Sequence, residues 1–166
     1  MKTENYYENI PLTDVLMSKP DAQCLINGTQ QFPDIIGFAR FYQTDIGVVV
    51  FSEIGGLEKA QAKCGEKIYG FHIHEGESCT GSKQDPLANT LAHYDPHGCS
   101  HPYHSGDMPP MFSANGFALS VFLTDRFSVN EIIGKTMVLH SEPDDFTTQP
   151  SGNSGSKIAC GVIEEV

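Results

Sequence analysis

Six of the seven histidines in this chain fall in one stretch: His72, His74, His93, His97, His101 and His104. The stretch runs from Phe71 to Asp107 and reads FHIHEGESCTGSKQDPLANTLAHYDPHGCSHPYHSGD. Neutral imidazole is a common nitrogen ligand for zinc and copper, and carboxylate can complete such a set. A density so far above chance predicts a metal site. It also constrains the fold, because the scaffold must bring these side chains to common points. The seventh histidine, His140, comes much later and is followed closely by Asp144 and Asp145.

His72-Ile73-His74 suits a strand, in which residues i and i+2 share a face. Both imidazoles then project one way while Ile73 points the other. Taken alone, the pair also fits two exposed histidines. His101, His104 and Asp107 form a second set in HPYHSGD; three ligands of that type suit zinc, and a fourth would close a tetrahedron. His93, in AHYDP, lies between the sets in sequence and can supply that fourth ligand. Its two ring nitrogens can in principle each take a metal, which would make it a bridge. His140 ends KTMVLH and can complete a copper-like nitrogen set with His72, His74 and His93. Asp144 is suited to accept from ligand histidines, because metal-bound imidazoles usually donate their other N–H to a carboxylate or carbonyl.

The rest of the chain reads as short strands. AQCLING, DIIGFARFYQT, IGVVVFSEI, KIYGFHIHE, GFALSVFLT, EIIG, KTMVLH and KIACGVI are rich in Ile, Val, Phe and Tyr. About eight such segments with few helical patterns predict an all-β fold, an antiparallel sandwich or barrel. Residues 76–110 show no periodicity, and a loop of that length inside a compact domain is usually functional. At 166 residues, one domain with its own core is expected over 21–166. Residues 1–20 read as a tail, where LTDVLM has room for a helical turn or two between Pro11 and Pro20.

No apolar run approaches the roughly 20 residues that cross a bilayer. The N-terminus lacks the basic start, apolar centre and small-residue site of a signal peptide. A cytoplasmic location is therefore expected, with export open should the chain have been trimmed. The net charge of −11 argues against nucleic acid or an anionic membrane as partner, and an anionic substrate would need a local positive feature. The five cysteines, Cys24, Cys64, Cys79, Cys99 and Cys160, are odd in number and lack CxxC spacing. At least one therefore stays outside any intramolecular pairing, and a thiolate zinc site is disfavoured. Cys24 lies in an alternating apolar strand and suits a buried thiol.

In order along the chain, GFHIHE, HYDP, HPYHSGD, GKTMVLHSEPDD and GNSGSKIACGVI resemble the copper/zinc superoxide dismutases, over residues 22–163. Each motif is short; the ordered set is specific. The resemblance implies an eight-stranded Greek-key β-barrel with two long functional loops, and one copper and one zinc per subunit. The implied reaction converts superoxide to oxygen and hydrogen peroxide by Cu(II)/Cu(I) cycling, with a structural zinc. The resemblance further implies copper on His72, His74, His93 and His140, and zinc on His93, His101, His104 and Asp107. His93 would be the shared bridge that takes a proton in catalysis, Asp144 would link ligands of both metals, and Cys79 and Cys160 would form a disulfide. Family dimers use different surfaces in different branches, so a homodimer stays open.

The chain also departs from that family. The guidance arginine beside the copper corresponds to Lys157, which keeps the charge but loses the rigid multi-donor fork; retained but reduced activity is expected. Residues 141–156 contain no basic residue, which leaves Lys157 and Lys135 as the main positive features near the copper. His97 falls outside the ligand pattern and is expected to be an exposed loop histidine. Cys64 and Cys99 also fall outside it, and a second disulfide between them would staple the metal loop. An alternative reading is a catalytically weak or inactive member of the same type that binds or delivers metal. The complete set of copper histidines favours the enzyme, while Lys157 weighs the other way. A zinc hydrolase is weaker still, since HExxH and a suitably spaced general base are missing.

Overall fold

The computed structural model describes residues 11–166, so residues 1–10 of the expected tail lie outside the described residues. The strands are β1 (Ala22–Gly28), β2 (Ile36–Thr44), β3 (Gly47–Gly55), β4 (Ile68–Tyr69), β5 (Phe71–His74), β6 (Met111–Ala114), β7 (Phe117–Thr124), β8 (Thr136–His140) and β9 (Lys157–Glu165). Among the described residues they form one antiparallel nine-stranded sheet, in the order β4-β6-β7-β3-β2-β1-β9-β8-β5. LTDVLM forms a short helix, α1 (Leu12–Met17), none of whose residues is buried. No helix of the described residues is long and apolar enough to cross a membrane.

Period-two burial builds the core. In β1, Ala22, Cys24 and Ile26 are buried while Leu25 faces out. The inward side chains of the other strands join them, including Phe41, Val50, Ile54, Phe71, Ile73, Met111, Met137, Leu139 and Ile163. Burial pushes the Cys24 thiol up to about 12, so it is an inert core group. Strands β5 and β8 are buried at every position, which requires cover on both faces. One face meets the barrel core; the loops that follow β5 and β8 cover the other.

The two ends of the sheet are consecutive in the chain. β4 pairs with β6 and β5 pairs with β8, and Gly70 alone separates them. A Cβ on Gly70 would lie 2.9 Å from Ser154 Cβ, so the seam tolerates little there. KIYGFHIHE is therefore two strands rather than one, and the described strands number nine rather than eight.

Two other local readings change. EIIG is not a strand: Glu131 and Ile132 belong to a helical turn, α2 (Val129–Ile132). The Glu131 carboxylate accepts from the Ser128 N–H at 2.6 Å and from Ser128 Oγ at 2.7 Å, and this capping pattern overrides the β preference of isoleucine. MFSA, between the unpatterned residues 76–110 and GFALSVFLT, forms β6. It pairs with β7 across Asn115-Gly116, whose φ values of 55° and 82° fit the two-residue turn that Asn-Gly favours.

Cys79 and Cys160 are bonded across 81 positions of sequence, at an S–S distance of 2.05 Å. The bond ties the loop after β5 to the middle of β9 and packs with Leu87 and Val138. Cys64 and Cys99 do not pair. Both are free and exposed, Cys64 on the connection before β4 and Cys99 on the metal loop, so the possible second staple does not form.

Candidate metal centre

His72 and His74 project from β5 on the side opposite Ile73, as the alternation predicts. The long loop then folds back along the free edge of β5. Tyr94 N–H donates to Ile73 O at 2.8 Å, and Ile73 N–H donates to Gly106 O at 2.9 Å. These bonds place His93 beside His74 and Asp107 beside His72. Gly106 permits the close approach, since a Cβ there would lie 2.2 Å from Ile73 O. His140 arrives from β8, held by its N–H to Gly70 O at 2.8 Å.

Two groups of ligand atoms result. His72, His74, His93 and His140 form the first; His93, His101, His104 and Asp107 form the second. Within each group the atoms lie within 4.8 Å of one another and every residue is buried. His93 belongs to both. Its Nδ1 is 2.7 Å from Asp107 Oδ1, while its buried Nε2 has no hydrogen-bond partner. His97 is exposed and belongs to neither group.

The arrangement fits bound metal ions better than it fits a polar core. Buried polar atoms are nearly always hydrogen-bonded, yet His72 Nδ1, His101 Nδ1 and His104 Nδ1 are buried without a partner. His101 Nδ1 and His104 Nδ1 stand 3.1 Å and 3.2 Å from Asp107 Oδ2 without hydrogen-bonding geometry. Lone pairs and a carboxylate thus converge on a common point. Burial lowers the pKa of His72 to about 4, against the opposing Asp144 bond. Burial and then the neighbouring His72 and His93 lower that of His140 to about 2, and His74 is also pushed well below its ordinary value. These imidazoles are neutral at physiological pH, the form that binds a metal.

Asp144 spans both groups. Its Oδ2 accepts from His72 Nε2 at 2.7 Å and its Oδ1 accepts from His101 Nε2 at 2.9 Å. Phe146 N–H donates to the same Oδ1 at 2.7 Å. Burial alone would raise this carboxyl, but the hydrogen bonds hold it well below the usual carboxylate range. Gly152, at φ +66°, leaves the space: a Cβ there would lie 2.0 Å from Asp144 Oδ1. Burial likewise acts to raise Asp107, and its bond to His93 with the nearby histidines holds it low.

A cavity of about 350 Å³ opens onto the first group, lined by His74, His93 and His140 together with Glu75, Leu91 and Lys157. Lys157 is the cation of that lining. It starts β9 directly opposite His140, and its Nζ donates to Leu91 O at 3.1 Å and Leu87 O at 3.4 Å. Burial lowers its pKa, against the opposing Asp85. The Leu91 carbonyl also accepts from His74 Nδ1 at 2.9 Å, so one peptide oxygen orients both a histidine of the first group and the cation. Leu91 takes φ 61°, ψ −147°, a region that non-glycine residues rarely enter. Lys135 does not line the cavity; its ammonium stands over the Tyr94 ring, 4.4 Å from the centroid.

Two residues absent from the sequence reading, Arg126 and Gln149, also touch the metal loop. Both bind backbone groups rather than ligand side chains.

A family model described as copper/zinc superoxide dismutase (SODC) matches residues 35–163. The chain is 33% identical over 143 residues to the Cu-Zn superoxide dismutase of Photobacterium leiognathi, covering 78% of this chain and 79% of that protein. It is 31% identical over 145 residues to Cu-Zn superoxide dismutase 2 of Aquifex aeolicus, covering 78% and 80%. For the Cu-Zn superoxide dismutase of Deinococcus radiodurans the identity is 30% over 151 residues, covering 80% and 79%.

Proposed function

The chain belongs to the copper/zinc superoxide dismutase family, and from that premise we propose how its own residues divide the work. It is an oxidoreductase that converts superoxide to oxygen and hydrogen peroxide, with copper and zinc as cofactors. The observation that carries the residue assignment is the pair of buried four-ligand groups sharing His93. His72, His74, His93 and His140 hold copper; His93, His101, His104 and Asp107 hold zinc. When bound, copper supplies one-electron chemistry between Cu(II) and Cu(I), and zinc supplies a fixed charge beside His93.

His93 carries the proton. Its Nε2 has no hydrogen-bond partner, so that nitrogen would hold one proton and deliver it to the peroxide product, the second proton coming from solvent. Asp107 Oδ1 and His93 Nδ1 lie 2.7 Å apart; with zinc present both would be its ligands, which would fix the ring orientation during that exchange. Asp144 keeps the rings of His72 and His101 in register. Lys157 draws the anion in and holds it, its ammonium steadied by two carbonyls at the cavity wall. The reading without catalysis is less favoured, because the full histidine set and a cavity-lining cation are both present.

Copper- and zinc-loaded protein is expected to hold one of each per chain and to dismutate superoxide far faster than buffer. A rate equal to buffer overturns the enzyme. Asp107→Ala is expected to lose zinc before copper, and joint loss of both metals overturns the partition.

Residues 21–166 are the catalytic barrel in this reading and residues 1–20 a dispensable tail, so removal of the tail should leave activity within about 2-fold. Nucleic acid and membranes are not partners, in line with a net charge of −11. The proposed partner is a second copy of the chain. Support comes from a cross-strand row of Leu25, Phe38, Glu53 and Leu119, in which Leu25 and Leu119 are exposed; light scattering tests it. The cytoplasmic placement is opposed by the disulfide, which persists most readily in an oxidising compartment. Cell fractionation with thiol trapping separates the two locations.

A further inference from the structure

We propose that Arg126 is a positioning residue for the second ligand group. It holds the turn of residues 101–107 from the outer side, so that His101, His104 and Asp107 already face a common point before an ion arrives. The proposal rests on the reading of His93, His101, His104 and Asp107 as the zinc set.

The turn has an inherent conflict. With three ligand side chains directed inward over so short a span, several of its carbonyls converge on the other side. Arg126 Nη1 occupies that convergence, 3.0 Å from Pro102 O, 3.3 Å from His104 O and 3.2 Å from Asp107 O. Three carbonyl oxygens directed at one spot repel one another, and a cationic donor there both satisfies and offsets them. Two of the three belong to ligand residues.

The clamp stands on firm ground. Arg126 lies two residues past the end of β7, its N–H donates to Thr124 Oγ1 at 3.3 Å, and the next residue, Phe127, is buried in the core. The helical turn of α2, capped by Ser128 and Glu131, begins immediately after. The barrel therefore fixes the base of Arg126 independently of the loop.

Gln149 grips the same turn from the second loop. Its Oε1 accepts from His101 N–H at 3.0 Å and its Nε2 donates to His101 O at 2.7 Å. His101 is thus held through its backbone by Gln149 and through its ring by Asp144. Between them, Arg126 and Gln149 engage the carbonyls of residues 101, 102, 104 and 107. Neither belongs to a ligand group, so their influence on metal binding must act through the turn. Outer partners of metal ligands typically set affinity by about 10- to 100-fold.

The test uses the full chain stripped of metal, as parent, Arg126→Gln, Arg126→Lys and Gln149→Leu. Zinc is titrated against a chromophoric chelator. Co(II) is titrated separately, its visible absorption reporting ligand geometry, and copper affinity is measured alongside. Arg126→Gln is expected to weaken zinc by about 10- to 100-fold and to alter the Co(II) band, with copper affinity held within about 2-fold. Arg126→Lys, which keeps the charge and three donors, recovers most of the loss, and Gln149→Leu weakens zinc in the same direction. Zinc affinity within about 2-fold of parent in Arg126→Gln, or zinc and copper falling together in proportion to thermal stability, overturns the proposal. Should Arg126→Gln fail to fold, Arg126→Lys and Gln149→Leu decide by the same criteria. A parent that takes no zinc overturns the ligand assignment itself; a parent that binds zinc while the variants match it overturns only the role of Arg126.

Discussion

Replacing both Cys79 and Cys160 by serine opens a loop closed across 81 positions of sequence. In the chain-entropy account, a closure of that size removes about 15 cal/mol/K from the unfolded ensemble, or about 4.5 kcal/mol at 25 °C. The serine hydroxyls then sit in the small apolar cluster with Leu87 and Val138, which adds a cost in the same direction. Residual structure in the unfolded chain works the other way, so a loss of about 3–5 kcal/mol is expected. For a chain of this length that corresponds to a fall in Tm of about 6–20 °C. The assay is urea denaturation of the metal-free parent and the double variant, with the slope m compared as well as the midpoint. A difference under about 1 kcal/mol refutes the loop-closure reasoning. The bond has a second effect to check. Leu87 and Leu91, whose carbonyls hold Lys157, lie on the loop that Cys79 anchors. The metal-loaded double variant should therefore lose kcat/KM even well below its Tm.

Lys157→Arg restores a planar fork beside two carbonyl acceptors, and kcat/KM is expected to rise by about 2- to 10-fold; an unchanged rate in a steady-state assay contradicts the idea that lysine is the weaker guide. Leu91→Gly releases a backbone strain of about 1–3 kcal/mol at the cost of about 0.5–1 kcal/mol of added chain entropy. Urea denaturation should show a net gain of about 1 kcal/mol, and a net loss would show that Leu91 is unstrained. For the metal-free protein, His72 titrates at about 4 when folded against about 6.5 when unfolded. The unfolded chain therefore binds more protons in that window, so stability is fully present above about pH 6.5 and falls as pH drops towards 4. His72 alone contributes about 3 kcal/mol of that loss by pH 4, and a flat stability profile from pH 7 to pH 4.5 would exclude it.

The residues of the two histidine-rich groups are legible in the sequence because metal chemistry dictates residue type, and strand alternation dictates that His72 and His74 share a face. Asp144 was readable for the same reason, since a ligand imidazole needs an acceptor. Arg126 and Gln149 were not, because their partners are backbone carbonyls and N–H groups, which every residue carries and no spacing marks. Leu91 carries no sequence mark either, as a leucine whose carbonyl and dihedral angles matter more than its side chain. The misread elements had signals that competing preferences hid. Ser128 and Glu131 cap a turn across isoleucines that favour strand, and Asn115-Gly116 marks a hairpin whose first strand, Met111–Ala114, is too short at 4 residues to show a period. The break at Gly70 carries no local signal, because the demand for it comes from closing the sheet.

That closure at Gly70 bears on how the protein behaves in a crowded solution. A sheet whose two ends are adjoining pieces of one segment, with the outer side of β5 stitched to Tyr94 and Gly106, offers little open backbone for another molecule to pair with. Strand edges are where chains recruit one another into aggregates. Residues 68–74 guard two such edges at once, those of β6 and β8, and they do so over two and four residues of pairing. His72 and His74 sit on the longer of these pieces. The seam and two histidines of the first group therefore share one short strand, so a change that loosens one disturbs the other.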